Sequence, residues 1–241
     1  MSYCVATMID AGIVFASDSR TNAGVDNIST FRKMKTFVRE GERVLVVINS
    51  GNLAVTQATI NSLEQAIRHN IEPNLMNVYS MYEVAELIGA ALREVRHRDG
   101  PFLLENNVDG SANFIVGGQI AGEHQRLFLV YSEGNFIEAT PETPYFQIGE
   151  VKYGKPIIDR VIRAETCMED AIKCVLVSFD STMRSNLSVG LPVDLACYKR
   201  ESLQLGNIHR FDEQDAYMKL LRQSWGEGVR RAFAQLPIFE W

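Results

Sequence analysis

Three residues near the start of the chain, Ser2, Asp18 and Lys33, are of the types that together can break an amide bond. Methionine before a small residue is normally removed during synthesis, so we expect the mature chain to begin at Ser2. That serine would carry a hydroxyl group and a free α-amine on adjacent carbon atoms. An α-amine has a pKa of about 8, so part of it is an unprotonated base at neutral pH. Because a hydroxyl nucleophile needs a base within reach, Ser2 would supply both groups itself.

Asp18 and Lys33 stand where predicted strands end or begin, and both residue types can assist such a nucleophile. Asp18 closes the apolar run in "FASDSR", and Lys33 lies in "FRKMKTF", where the chain enters its third predicted strand. The lysine would either hold positive charge near the amine and lower the pKa of that amine, or itself accept the hydroxyl proton. The aspartate would orient the lysine through a charge-assisted hydrogen bond. The alternative is a strand-end aspartate, a surface lysine and the common Met-Ser start of a protein.

Other catalytic patterns are absent from the sequence. It contains no H-E-x-x-H, G-x-S-x-G, Walker A or G-x-G-x-x-G motif. The histidines are far apart, and we interpret all of them as surface residues: His69, His97, His124 and His209. The start of the chain therefore remains the strongest candidate for chemistry.

Composition excludes several classes of function. The chain has 241 residues and a formal net charge of -6, which argues against a nucleic-acid partner. Its longest apolar runs, such as Val44–Ile48, are far too short to span a bilayer. The sequence shows no secretory-signal pattern, and its four cysteines have no C-x-x-C spacing, so we expect reduced, mostly buried thiols. These features predict a protein of the cytoplasm with no membrane partner.

The pattern of elements along the chain predicts an α+β fold. Two strand hairpins fill the first 50 residues, and their strands are almost continuously apolar, as expected for strands covered on both faces. Two helices follow, then more strands, two further helices, one strand and a last helix. Serine and glutamate in "SMYE", and threonine and glutamate in "TCME", predict capping boxes at two helix starts. Blocks of strands and helices without a linker favour a single domain over residues 1–241, with two stacked sheets between helical layers.

The sequence resembles a known family in several stretches. "SYCVATMIDAGIVFASDSRTNAG", "FRKMKTF" and "VLVVINSGN" resemble the start of proteasome β-type subunits. "VFASDSRTNAGVDNISTFRKM" and "SFDSTMRSNLSVGLPVDLACY" are more closely similar to the Anbu family, which is related to the bacterial proteasome. The resemblance covers nearly the whole chain. It implies the four-layer αββα sandwich of N-terminal nucleophile hydrolases.

The resemblance also implies roles for individual residues. It makes Ser2 the nucleophile, in place of the usual threonine, with Asp18 and Lys33 as its partners. It assigns an oxyanion-binding backbone N–H to Gly51. Two further positions would contact an extended peptide substrate: Thr21 and Asn49.

The chain departs from the family pattern in the residues that support the site. Glu150 stands where a serine commonly follows the glycine of an I-G turn. The usual D-x-x-S-G-G segment reads "RSNLSVG" here, so that Ser188 matches the serine and Ser185 occupies the position of the aspartate. Asp180 is a further candidate for that supporting carboxylate.

The resemblance implies a self-compartmentalising peptidase that needs no metal and no organic cofactor. Its copies would assemble into a homo-oligomeric ring or a helical ring-like particle that acts on peptides or unfolded proteins, with an unfoldase as a further possible partner. Two alternatives stay open at this point. One is a catalytically weak scaffold subunit, against which the presence of Asp18 and Lys33 counts. The other is an N-terminal nucleophile amidase with a small amide substrate, because pockets and loops set the substrate on a shared fold.

Overall fold

A computed structural model describes residues 2–22 and 28–241. In this part of the chain the strands are β1 (Tyr3–Ile9), β2 (Gly12–Asp18), β3 (Arg20–Asn22), β4 (Ile28–Thr30), β5 (Met34–Arg39), β6 (Arg43–Gly51), β7 (Ala112–Ile120), β8 (Arg126–Val130), β9 (Phe136–Glu138), β10 (Tyr145–Gly149), β11 (Val193–Lys199) and β12 (Leu205–Phe211). The helices are α1 (Leu53–Arg68), α2 (Met81–Glu105), α3 (Lys155–Val161), α4 (Met168–Ser185) and α5 (Ala216–Ala234). The described residues include no helix that is long and apolar enough to cross a membrane.

Two five-stranded antiparallel sheets form the centre of the molecule. One sheet has the order β10-β1-β2-β11-β12, and the other has the order β5-β6-β7-β8-β9. All of β2 is buried, and so is β6 up to its last residue. The prediction that the continuously apolar strands are covered on both faces is therefore confirmed.

Three hydrophobic clusters show how the layers are stacked. One cluster joins α1 and α2 to the second sheet, and a second joins the first sheet to α3, α4 and α5. The third lies between the two sheets and includes Phe15, Ile48 and Phe146. The layers therefore follow the order helix, sheet, sheet, helix, and the predicted four-layer αββα sandwich is confirmed.

The helix starts agree with the sequence in one case and differ in another. Ser80 and Glu83 form the predicted capping box of α2, because each side chain accepts a hydrogen bond from the backbone N–H of the other residue. The capping box predicted at Thr166 is wrong. The helix begins one residue later, after Cys167, and the Thr166 hydroxyl oxygen accepts from the backbone N–H of Arg163 instead.

Four strands of the described residues were not predicted from the sequence: β3, β4, β10 and β12. β3 and β4 have three residues each and pair with each other. β12 is an edge strand with mostly exposed residues, so it lacks the apolar run by which a strand is recognised. β10 is short and pairs with β1, so that Tyr3 lies opposite Gly149. β1 thus lies between β10 and β2, and its first residues are held from both sides.

Candidate active site

The backbone around Ser2 is fixed by hydrogen bonds from two neighbouring segments. The Glu150 N–H donates to the Ser2 carbonyl oxygen at 2.7 Å, and the Tyr3 N–H donates to Asp18 Oδ1 at 3.0 Å. Gly149 has a φ of +84°, and a Cβ at this position would overlap the Ser2 carbonyl oxygen. Only glycine allows β10 to approach Ser2 this closely. The predicted removal of Met1 concerns a residue outside the described part of the chain.

Asp18 and Lys33 form a buried ion pair close to the start of β1. Lys33 Nζ lies 2.6 Å from Asp18 Oδ1 and also donates to the Arg20 carbonyl oxygen at 2.6 Å. Asp18 ends β2, Arg20 begins β3, and Lys33 precedes β5 by one residue. The tertiary structure thus brings together two residues that the sequence separates by 14 others.

Burial dominates the electrostatics of the Asp18 carboxyl group. Desolvation raises its pKa, and the opposing effect of Lys33, together with the hydrogen bonds from Lys33 and Tyr3, does not fully compensate. The pKa of Asp18 therefore lies above its ordinary value. The second carboxylate oxygen, Oδ2, is buried and has no hydrogen-bond partner among residues 2–22 and 28–241.

An open cavity of about 540 Å³ lies in front of these groups. The residues of the predicted site that line it are Ser2, Thr21, Lys33, Asn49 and Gly51, and Gly149 lies beside them. The structure thus gathers the predicted nucleophile, the lysine and all the predicted substrate contacts around one cavity. Asp18 lies behind Lys33, where it contacts the lysine rather than the cavity.

Asn49 and Gly51 belong to the end of β6 that borders the cavity. The Asn49 backbone N–H and its side-chain Nδ2 both donate to the Lys33 carbonyl oxygen, at 3.1 and 2.9 Å. Alternate N–H groups of a strand point to the same side, so the Gly51 N–H points to the side on which the Asn49 N–H meets Lys33. β5 begins at Met34, so no strand residue of β5 lies opposite Gly51. Gly51 has a φ of +116°, and a Cβ there would overlap the Ser111 carbonyl oxygen.

Of the four residues predicted to support the site, two lie near Ser2 and two do not contact the cavity. Glu150 is buried next to Ser2, and its Oε2 accepts from Asn186 Nδ2 at 2.9 Å. Ser188 joins this group through its backbone N–H, which donates to Asn186 Oδ1 at 2.9 Å. Ser185 is exposed at the end of α4. Asp180 lies away from the cavity, since its carboxylate pairs with two arginines of the outer helical layer, Arg184 and Arg222.

Asn186 is a residue that sequence reasoning missed. It directly follows Ser185, the residue at the expected position of the supporting aspartate, and it is the carboxyl-terminal cap of α4. An asparagine at a helix end is usually interpreted as a cap, so its type gave no sign of a contact with Glu150.

Cys4 and the histidines do not compete with Ser2 as reactive groups. Burial raises the pKa of the Cys4 thiol, and its Sγ donates to the Asn49 carbonyl oxygen at 3.2 Å. A protonated, buried thiol is a poor nucleophile. His69 and His209 are exposed and bond to neighbouring surface side chains, as predicted. The described residues include no group of three or more histidine, cysteine or acidic side chains that could hold a metal ion, and the cofactor-free chemistry stays a prediction.

The fold and the position of this site define a class of protein. A four-layer αββα sandwich whose first central strand begins at the candidate site has the architecture of the N-terminal nucleophile hydrolases, to which proteasome β-type subunits belong.

Solved structures specify the family. Anbu (ancestral beta-subunit) from Yersinia bercovieri is 52% identical to this chain, with a TM-score of 0.93 and 99% of both chains covered. The protein in the helical assembly of the Anbu complex from Pseudomonas aeruginosa is 51% identical, with a TM-score of 0.94, 99% of this chain and 98% of that one covered. An Anbu (Gly-1) mutant from Hyphomicrobium sp. strain MC1 is 45% identical over the full length of both chains, with a TM-score of 0.93. No protein-family profile and no curated protein matches the chain. The chain belongs to the Anbu family of proteasome-related subunits, as the sequence resemblance predicted.

Proposed function

We propose that the chain is an N-terminal nucleophile peptidase in which Ser2, freed of Met1, attacks peptide bonds. The observation that carries this proposal is the placement of Lys33. Its Nζ is buried between two acceptors, Asp18 Oδ1 and the Arg20 carbonyl oxygen, at the border of a cavity that Ser2 also lines. Removing both charges of a buried ion pair from water costs several kcal/mol per ion, which their attraction often only offsets, so the place of this pair at the cavity favours a function over a stabilising role.

The proposed reaction proceeds through an ester. Ser2 Oγ attacks the carbonyl carbon of the substrate, and its proton passes to the Ser2 α-amine. The amine then transfers that proton to the leaving nitrogen as the amide bond breaks, which leaves an acyl ester on Ser2. A water molecule, deprotonated by the same amine, attacks the ester, and the proton returns to Ser2 Oγ as the carboxylic acid product leaves. Both half-reactions balance in atoms and charge without a cofactor.

Lys33 and Gly51 would assist this sequence in different ways. Lys33 Nζ donates to Asp18 Oδ1 and to the Arg20 carbonyl oxygen. In the proposed reaction a positive charge on Lys33 would disfavour protonation of the Ser2 α-amine and so keep that amine available as the base. The Gly51 N–H would stabilise the negative charge on the carbonyl oxygen of the substrate, a contribution of about 3–4 kcal/mol per donor in comparable sites.

Thr21 and Asn49 would contact an extended peptide. Thr21 lies in the short strand β3, and its hydroxyl oxygen is buried with no partner among the residues that the structure describes. A peptide that adds to the backbone of β3 would use main-chain hydrogen bonds for affinity and side-chain contacts for specificity. Asn49, in β6, borders the same cavity, and there it would contact a side chain of the substrate.

We also propose that copies of the chain assemble with one another. The 51% identical Pseudomonas aeruginosa protein forms a helical assembly. In this chain α5 buries only Met218 fully, and apolar residues of its last turn and of the tail after it are largely exposed: Phe233, Leu236, Ile238, Phe239 and Trp241. Exposed large apolar side chains concentrated in one segment favour an interaction site there. We define Phe233–Trp241 as the apolar tail.

Intact mass measurement after treatment with a peptide epoxyketone or a β-lactone tests the proposed chemistry. We expect a single adduct that maps to Ser2, and loss of that adduct in Ser2→Ala. Ser2→Thr should keep the adduct because threonine supplies the same hydroxyl group. Cys4→Ala is the matched control and should be labelled like the wild type. Absence of an adduct on Ser2, in protein that has lost Met1, would identify the chain as a non-catalytic subunit.

A further inference from the structure

One segment contacts both sides of the candidate active site. We call residues Asn186–Gly190, which follow α4, the 186–190 segment. Asn186 Nδ2 donates to Glu150 Oε2 at 2.9 Å, and Arg20 Nη1 donates to the Leu187 carbonyl oxygen at 2.9 Å. Glu150 and Arg20 belong to opposite sides of the site, the first beside Ser2 and the second beside Lys33.

On the side of the nucleophile, the contact leads from Asn186 to Ser2 through a single residue. The carboxylate of Glu150 is held by the Asn186 amide, and the backbone N–H of Glu150 donates to the Ser2 carbonyl oxygen at 2.7 Å. Glu150 is buried, so the loss of its amide partner would leave a carboxylate with poorer solvation. Movement of Glu150 would move the residue that fixes the Ser2 backbone.

On the side of the lysine, the contact leads from the same segment to Lys33 through Arg20. The Arg20 guanidinium packs against Gly190, where a Cβ would overlap it, and the Arg20 carbonyl oxygen accepts from Lys33 Nζ at 2.6 Å. The glycine at 190 therefore leaves room for the guanidinium that bonds to the Leu187 carbonyl oxygen.

The orientation of the Asn186 amide follows from its own contacts. Its backbone N–H donates to the Thr182 carbonyl oxygen at 2.8 Å, and its Oδ1 accepts from the Ser188 N–H at 2.9 Å. Because Oδ1 is occupied by a donor, Nδ2 must face the acceptor, which is the Glu150 carboxylate. The asparagine is thus held by the helix end on one side and by the following turn on the other.

We infer that Asn186 is a positioning residue for Ser2 and that it acts through Glu150. The inference rests on the proposed function, because it concerns the nucleophile of that reaction. Among the described residues, no hydrogen bond joins Asn186 directly to Ser2 or to Lys33. Its effect on Ser2 therefore depends on the hydrogen bond from its amide to the Glu150 carboxylate.

A polarity swap separates this role from a general structural one. In Asn186→Asp two carboxylates face each other, and the hydrogen bond is lost. In the double variant Glu150→Gln/Asn186→Asp the glutamine amide donates to the aspartate, so the bond returns with its direction reversed and the net charge of the pair unchanged. The aspartate keeps an oxygen for the Ser188 N–H. Asn106, the carboxyl-terminal cap of α2 as Asn186 is of α4, provides the matched control Asn106→Asp.

Two readouts on the assembled protein test the inference. One is the rate at which the epoxyketone labels Ser2. The other is the hydrogen-exchange rate of the Glu150 amide, measured by mass spectrometry with fragmentation. We expect Asn186→Asp to slow labelling about tenfold, the equivalent of one hydrogen bond to a charged group, and to speed exchange about as much. The double variant should restore both rates, and Asn106→Asp should change neither.

The outcomes distinguish this inference from the proposed function. Unchanged exchange at Glu150 in Asn186→Asp would overturn the positioning role whatever the labelling shows. Failure of the double variant to restore exchange would also overturn it, because the single variant would then have damaged the structure in another way. If the wild type is not labelled at Ser2, the proposed function fails, and the exchange measurements still decide whether Asn186 positions the Ser2 backbone.

Discussion

The two ends of the described chain differ sharply in how they are held. Tyr3 is fully buried in β1, and its hydroxyl group shares a 2.9 Å hydrogen bond with Ser178 Oγ and accepts from Gln147 Nε2 at 2.6 Å. At the other end, Phe233 is 75% exposed and Ile238 is 91% exposed. Chain ends usually fray unless contacts hold them. The start of this chain is held by contacts within the fold, whereas its last residues leave apolar surface exposed.

This difference divides the proposed work of the molecule between its ends. The proposed nucleophile must be held within a fraction of an ångström, and hydrogen bonds within this chain fix the backbone at Ser2 and Tyr3. The proposed assembly needs apolar area that stays free until a partner covers it, and the apolar tail would supply that area. Chemistry and assembly should therefore respond to different changes.

Extension of the two ends gives the largest expected contrast. An uncleavable amino-terminal extension converts the Ser2 α-amine to an amide, which has no basicity near neutral pH, and it occupies the approach to Oγ. We expect labelling of Ser2 to fall at least about 100-fold. The same extension placed after Trp241 should leave labelling within about twofold, because that end lies outside the site. Equal labelling of the two proteins, with the extensions verified by intact mass, would contradict the proposed role of the amine.

Removal of residues 236–241 tests the opposite end. We expect the concentration at which copies associate, measured by light scattering, to rise about tenfold or more, since burial of even one large apolar side chain is worth about 1.5–3 kcal/mol. Labelling of Ser2 per chain should stay the same. Ser2→Ala is the reciprocal control and should abolish labelling while leaving association unchanged. If the shortened chain associates like the wild type, residues 236–241 do not contribute to the interface between copies.

The close packing at the start of the chain can be compared with an open position of similar backbone geometry. Gly149 and Gly41 both have positive φ, +84° and +74°, but a Cβ at Gly41 would meet nothing within 4 Å. We expect Gly41→Ala to lower the free energy of unfolding by about 1 kcal/mol, the cost of the backbone alone. Gly149→Ala should cost about 3 kcal/mol or more, because its Cβ would also overlap the Ser2 carbonyl oxygen. Urea denaturation measures both, and equal losses would show that β10 does not constrain Ser2.

Acid titration should affect the carboxyl group of Asp18, near Ser2, before that of Asp215, at the start of α5. Burial raises the pKa of Asp18, so this carboxyl group gains its proton, and Lys33 loses its charged partner, at a pH above the usual aspartate value of about 3.9. Asp215 is the amino-terminal cap of α5. Desolvation raises its pKa, but its hydrogen bonds with His209 and with the backbone lower that pKa by more, so the net shift is downward. Its contribution to stability is therefore lost only as the pH falls below the usual value.

The Tyr3 N–H donates to Asp18 Oδ1, and the Met218 N–H donates to Asp215 Oδ1, so these two amides report on the two carboxyl groups. As the pH falls from 7, we expect the hydrogen-exchange protection of the Tyr3 amide to decrease at a higher pH than that of the Met218 amide. If Met218 loses its protection first, the raised pKa of Asp18 is wrong.

The sequence by itself determined the elements whose residues carry their own signal. The apolar runs of β1 and β2 predicted buried central strands, and Ser80 with Glu83 predicted the start of α2. The predictions of burial and capping succeeded because both depend on residue type and short spacing. For Asp18 and Lys33 the sequence left two interpretations open, an ion pair or a strand-end aspartate and a surface lysine, and the 2.6 Å contact agrees with the first.

Only the tertiary structure decided the surroundings of the site. Ser185 and Asp180, expected from the family pattern, lie elsewhere, while Asn186 holds Glu150 across 36 residues of sequence. β12 shows no apolar run, so its place in the sheet depends on pairing with β11 rather than on its own residues. Contacts of this kind depend on where the backbone brings distant segments together. A single sequence fixes which groups are available for such contacts, and the packing of sheets and helices selects which of them meet.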